Sequence, residues 1–195
     1  MTLDESKIIV TDDFLEEEQF ERLSNFIMGT QMAWYNLSCS CGYPLQQHIF
    51  YSERKGPELF QGAPIVNSMF NHLDPIINKL GHAALIRIRA NQSWHTSDDV
   101  MTQRDYHRDV PFDCTTGILY INDSDGCTIF ENGDDPIECE SKANRFIEFP
   151  SHYRHTSTPF TTPERRVVIN FNYHKLHIPL NETIIGSGTS PTEHW

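Results

Sequence analysis

Basic residues are scarce in this chain: 15 Lys and Arg stand against 27 Asp and Glu, for a formal net charge of −12 and an isoelectric point near 5.2. Binding to a phosphate backbone draws on clustered Lys and Arg, and no such cluster occurs, so nucleic acid is not the expected partner. The acidity itself bears on solubility. Apolar runs are short, and none approaches the roughly 18–20 residues of a membrane span. The first residues, Met1-Thr-Leu-Asp-Glu-Ser6, show no basic region followed by an apolar one, so no secretory signal is expected. The expected compartment is the cytoplasm. Cysteine numbers five, which leaves one thiol over in any disulfide scheme and fits free thiols in a reducing compartment. Cys39-Ser-Cys41 has no second cysteine pair or histidine pair at finger spacing, so a structural zinc site is not expected. Internal repeats and low-complexity tracts are absent.

What is present suits one domain. At 195 residues and 38% hydrophobic content the chain can bury a proper core. Residues 7–11 read as a short strand. Asp12 or Asp13 then caps a helix whose first turn is rich in Glu and whose Phe20, Leu23, Phe26 and Ile27 recur at helical spacing, with Gly29 ending it. Trp34-Tyr35 and His48-Ile-Phe-Tyr51 look like strand pieces around a Cys-, Ser- and Gly-rich loop. A second helix is expected over about 63–80, kinked or split at Pro75. From Ala83 the period becomes two, and Arg87 and Arg89 share one face. A polar loop at 92–103 follows, then strands at about 114–121, 127–131, 144–149 and 165–173. Many short strands at this spacing predict a mainly β, α+β fold: a double-stranded β-helix (jelly roll) with the N-terminal helices packed on one sheet. The helical support covers about 1–82, the jelly-roll core about 83–175 and a mobile tail about 176–195.

The chemistry centres on Arg104-Asp-Tyr-His107-Arg-Asp109. Residues two apart on a strand share a face, so His107 and Asp109 can aim an imidazole and a carboxylate at one point. A second histidine from a distant strand would complete two His and one carboxylate on one side of a metal. That set leaves positions open and suits non-heme Fe(II).

The order of His107-x-Asp109, Thr116-Gly-Ile-Leu-Tyr120-Ile-Asn, Asp125-Gly126-Cys-Thr-Ile-Phe130, Phe149-Pro-Ser, His155-x-x-x-Pro159 and Arg165 resembles the Fe(II)/2-oxoglutarate-dependent dioxygenases, and among them the prolyl-hydroxylase-like branch. The matching pieces span about residues 85–175. The Arg165-Arg-Val-Val-Ile-Asn-Phe-Asn-Tyr173 stretch is also similar to short oxygenases encoded by marine bacteriophages, which would place the protein in a host cytoplasm. The resemblance implies that His107, Asp109 and His155 hold Fe(II), with His152 the rival for the distal position. It implies that 2-oxoglutarate and O2 are cosubstrates, giving succinate, CO2 and a hydroxylated C–H.

Arg165 would then clamp the far carboxylate of 2-oxoglutarate. It shares a strand face with Val167, Ile169 and Phe171, and a guanidinium on such an apolar face needs an anionic partner. Arg166 falls on the opposite face as a surface charge; a bulge in the strand would exchange the two. Tyr120 is either a cosubstrate contact or a core aromatic, Thr128 lines the same pocket, and Asn91 contacts the cosubstrate. The substrate is expected to be a protein or peptide side chain, proline among the options. A small metabolite or nucleobase, or a non-catalytic jelly-roll module, are the alternatives.

Overall fold

The computed structural model describes residues 2–36, 45–53, 65–94, 105–161 and 164–176. The readings placed on Cys39 and Cys41, on most of the 92–103 loop and on the tail lie outside the described residues. The strands are β1 (Ile9–Thr11), β2 (Tyr35–Asn36), β3 (Leu45–Ser52), β4 (Ile65–Val66), β5 (Ala83–Ser93), β6 (Thr115–Tyr120), β7 (Ser124–Phe130), β8 (Ile137–Ser141), β9 (Phe146–Pro150), β10 (His155–Ser157) and β11 (Arg166–Lys175). Two α-helices, α1 (Glu17–Met28) and α2 (Asp74–Leu80), precede the long strands. The larger antiparallel sheet runs β1-β9-β6-β11-β5-β3-β2, with β4 beside β3, and the smaller runs β10-β7-β8. The two sheets face each other as a jelly roll.

Three layers follow from which side chains the strands bury. On one face of the larger sheet, Ile88 and Ala90 of β5, Leu119 of β6 and Val167, Ile169, Phe171 and Tyr173 of β11 pack against Leu23 and Ile27 of α1 and Ile76 of α2. On the other face, Ile118 and Tyr120 of β6, Ile147 and Phe149 of β9 and Val168 of β11 meet Phe130 of β7 and Cys139 of β8. The larger sheet is thus covered on both sides, and the first eight residues of β11 are all buried. No described helix is long and apolar enough to cross a membrane.

Local chemistry differs from expectation at both helix starts. Glu16, not Asp12 or Asp13, stands at the N-cap of α1 and makes no side-chain cap bond. Asp12 instead accepts from Arg145 Nε at 2.6 Å and Lys142 Nζ at 3.0 Å. Those bonds hold its carboxyl well below the usual range and tie β1 to the turn before β9. Of the kink or split expected at Pro75 the structure has the split: a 3-10 turn over Phe70–Leu73 precedes α2, and Pro75 lies in the first turn of α2, where its missing N–H costs nothing. Residues Ile65–Val66, expected to be helical, pair with β3 instead.

Gly117 of β6 lies directly under the Phe146 ring of β9. A Cβ there would lie 2.4 Å from Cζ of Phe146, whose ring is buried and stacks on Phe14 at 4.3 Å. Gly117→Ala is expected to lower stability by about 1–3 kcal/mol through overpacking, read as a lower urea midpoint with an unchanged slope.

Candidate metal centre and its pocket

The centre is assembled by one antiparallel bridge. His107 N donates to the His155 carbonyl and His155 N to the His107 carbonyl, both at 3.0 Å. Residue 107 therefore lies beside β10, and the two imidazole centroids stand 5.0 Å apart. Two residues on, Asp109 turns a carboxylate with 1% side-chain exposure toward the same point, Oδ2 lying 3.9 Å from His155 Nε2. One ligand atom from each of the three lies within 4.8 Å of the others. His155 Nδ1 sits 3.2 Å from the Tyr153 carbonyl and His107 Nδ1 3.4 Å from that of Asp105. A carbonyl only accepts, so each ring donates from Nδ1 and leaves the Nε2 lone pair for a cation.

Electrostatics keep the set ready to bind. Burial alone would raise the Asp109 carboxyl, but the neighbouring His155 ring and the Arg87 and Arg89 guanidinium groups outweigh it and bring its pKa to about 2. Desolvation, followed by repulsion from His155, pushes His107 below the ordinary imidazole value and so favours its neutral form. Two imidazoles and a carboxylate, with no thiolate, form the nitrogen–oxygen donor set that suits Fe(II) over a structural zinc.

Asp109 is held from behind. Arg87 Nη2 lies 3.3 Å and Arg89 Nη2 3.8 Å from its Oδ1, while Asn170 Nδ2 donates to Oδ2 at 3.2 Å. Arg87 Nε also donates to Asn172 Oδ1 at 3.1 Å, and Asn172 Nδ2 to Thr116 Oγ1 at 3.1 Å. The pairing of β5 with β11, Arg87 opposite Asn172 and Arg89 opposite Asn170, sets up this network.

A cavity opens from the three ligands into the space between the sheets. Its enclosed volume is about 110 Å³, and its mouth is open to solvent. Arg89, Asn91, Ile118, Thr128, Arg166, Val168 and Asn170 are among its walls. Of the residues expected there, Asn91 and Thr128 do line it, but Arg165 does not.

The facing of β11 is opposite to the one expected. Arg165 shares its parity with the helix-packed face and reaches Gln92 Oε1 at 2.7 Å and the Met28 carbonyl. Its guanidinium lies 5.9 Å from the Trp34 ring and 5.8 Å from that of Trp94. The cavity receives Arg166 instead, 6% exposed, donating from Nε to Ser141 Oγ at 2.8 Å and from Nη2 to Thr128 Oγ1 at 3.2 Å. Burial pushes its guanidinium below the ordinary value. Among the described residues no carboxylate comes within 4.0 Å of it.

Two further placements complete the set. Tyr120 is fully buried behind the cavity wall, donating its hydroxyl to Thr128 Oγ1 at 2.8 Å beneath the Arg166 guanidinium. His152 lies away from the cluster, its Nδ1 3.6 Å from the exposed Asp113 carboxylate. The sequence signal for Arg166 is its parity with Asn170 and Asn172, on the face of β11 that also carries Val168.

No protein-family model matches the chain, and no curated protein sequence is similar to it. Solved structures are similar in fold, 2-oxoglutarate- and iron-dependent oxygenases among them. A 2OG-Fe(II) oxygenase-family oxidoreductase from Burkholderia pseudomallei superposes with a TM-score of 0.67 at 12% identity, covering 88% of this chain and 87% of that one. A Trichoplax adhaerens prolyl hydroxylase, in complex with a hypoxia-inducible-factor degradation-domain peptide, gives 0.58 at 14% identity over 87% and 84%. HygX from Streptomyces hygroscopicus, with nickel, 2-oxoglutarate and hygromycin B bound, gives 0.58 at 9% identity over 88% and 84%.

Proposed function

We propose that this chain is an Fe(II)- and 2-oxoglutarate-dependent oxygenase that hydroxylates an unactivated C–H bond. The observation that carries this reading is the joining of two features in one cavity: the His107, Asp109 and His155 donor set, and the buried Arg166 guanidinium with no carboxylate beside it among the described residues. A buried guanidinium at a cavity wall is stabilised by an anion that enters the cavity. A dicarboxylate that also chelates the metal supplies one.

Each residue then has a task. His107 and His155 offer Nε2, and Asp109 offers Oδ2, to Fe(II). Arg87 holds Oδ1 and so fixes the carboxylate's orientation, as supporting groups behind metal ligands do. Arg166, steadied by Ser141 and Thr128, takes the far carboxylate of 2-oxoglutarate, displacing Arg165 from the role its spacing suggested. Bound Fe(II) supplies the O2 chemistry, in which 2-oxoglutarate becomes succinate and CO2 and one oxygen atom enters the C–H bond. Phe130 and Phe149, whose rings stand 6.1 and 4.9 Å from His155, keep that ligand's inner side dry.

A peptidyl or prolyl substrate is the reading that the prolyl-hydroxylase-like motifs favour; the small-molecule alternative draws on the cavity's own charge, argued below. Cys114, Cys127 and Cys139 are free, which supports a reducing cytoplasm. The test is 2-oxoglutarate turnover. Succinate is expected to form only with Fe(II) and O2, and to be lost in Asp109→Asn. Absence of succinate with a full panel of peptides and small molecules, together with no 2-oxoglutarate binding, would contradict the reading.

A further inference from the structure

The cavity holds more positive charge than iron and 2-oxoglutarate use. Two guanidinium groups, Arg89 and Arg166, line it and a third, Arg87, stands behind Asp109, against the single Asp109 carboxylate among the described residues. The two charges of Fe(II) and the two of 2-oxoglutarate cancel, so the excess persists in the loaded site. This occurs in a chain whose formal net charge is −12. Arg166 and Arg87 are committed: the first sits on Ser141 and Thr128, the second on Asp109 and Asn172.

Arg89 is not. Its Nη1 reaches only the neutral Gln47 Oε1 at 3.4 Å, and its Nη2 shares Asp109 Oδ1 at 3.8 Å with Arg87. Among the described residues its Nε is buried without a hydrogen-bond partner, and so is Oδ1 of Asn91, two residues along the same face of β5; Arg87 Nη2 and Asp109 Oδ1 also lack hydrogen bonds, but these two face each other as an ion pair at 3.3 Å. Both residues line the cavity beside the metal ligands. Unpartnered buried polar groups are costly and mark a place completed by something else.

We infer that Arg89 binds an anionic group, a carboxylate or a phosphate, on the primary substrate, and so makes small acids the substrate class. This rests on the function proposed above, and it adds a second anion site distinct from that of Arg166. Because Arg89 approaches Asp109 closely, an anion held there brings the carbon next to its acid group toward the metal ligands. Asn91 Oδ1 accepts from a hydroxyl or ammonium on that neighbouring carbon. An uncharged peptide segment gives Arg89 nothing to bind.

The experiment follows the Nε–H resonances of ¹⁵N-arginine-labelled protein loaded with diamagnetic Zn(II) and saturating 2-oxoglutarate. Acetate and inorganic phosphate are the probes, added at constant ionic strength against chloride. The Arg89 signal, assigned by its loss in Arg89→Lys, is expected to shift saturably. Whichever anion gives the lower half-saturation names the source. Read on the Arg166 signal with metal and 2-oxoglutarate kept saturating for each variant, anion affinity is expected to fall on the order of tenfold or more in Arg89→Gln and to survive in part in Arg89→Lys. No saturable shift with either anion in the wild type overturns the inference and leaves the proposed function standing. A loss of 2-oxoglutarate binding in Arg89→Gln but not in Arg166→Gln also overturns it, because Arg89 would then be the cosubstrate's clamp. Failure of the wild type to bind 2-oxoglutarate at all counts instead against the function itself.

Discussion

His155→Ala is expected to lower Fe(II) affinity on the order of 100-fold or more, with His152→Ala unchanged within experimental error. The magnitude follows from position. Supporting groups behind metal ligands already contribute roughly 10–100-fold, and His155 is a direct donor with 4% exposure, in a place no other described side chain can fill. His152 sits on the surface with Asp113. His107→Ala is expected to match His155→Ala, since both hold their Nδ1 on a backbone carbonyl and present Nε2. Arg87→Ala is expected to fall between, because it loosens Asp109 without removing it. Anaerobic competition against a chelating dye measures all four. A large loss in His152→Ala with a small one in His155→Ala would mean that the distal ligand is misassigned.

Arg166→Ala is expected to leave Fe(II) affinity nearly intact and to lower 2-oxoglutarate affinity on the order of 30-fold or more. Removing one partner of a buried charge-assisted pair costs roughly 2–5 kcal/mol, and about 1.4 kcal/mol is tenfold. Arg166→Lys is expected to recover part, since a point charge replaces a planar fork. Arg165→Ala is expected to change 2-oxoglutarate affinity little, because its guanidinium lies over Trp34 and Trp94 on the helix side of the sheet. Its loss is expected to show in stability, through the bonds to Gln92 and Met28. The reverse ordering of the two arginines in anaerobic binding would restore the apolar face of β11 as the cavity face.

That reversal shows where the sequence could be read and where it could not. Period-two alternation located β5, β6, β9 and β11 to within a few residues, and the His107-x-Asp109 and His155 spacing brought together the three residues that cluster. Parity along β11 was equally legible. Which parity faces the site was not, because the larger sheet is covered on both sides. Val167, Ile169 and Phe171 are apolar because they pack on α1 and α2, not because they line a pocket. The inner face is the polar one, as a site for charged ligands requires. Arg87 and Arg89 were visible as a shared face, but their joint hold on Asp109 depends on a contact between residues twenty or more apart. The short strands Ile137–Ser141 and His155–Ser157 carry little periodicity, and pairing rather than propensity defines them.

The most direct measurement is an anaerobic Fe(II) titration with 2-oxoglutarate present, following the weak visible charge-transfer band of a 2-oxoglutarate chelate. The expected result is a band that saturates at one Fe(II) per chain, needs 2-oxoglutarate, disappears in His155→Ala and returns in Arg166→Ala only at higher 2-oxoglutarate. A wild-type chain that binds Fe(II) without developing the band, or a band indifferent to both substitutions, would contradict the account.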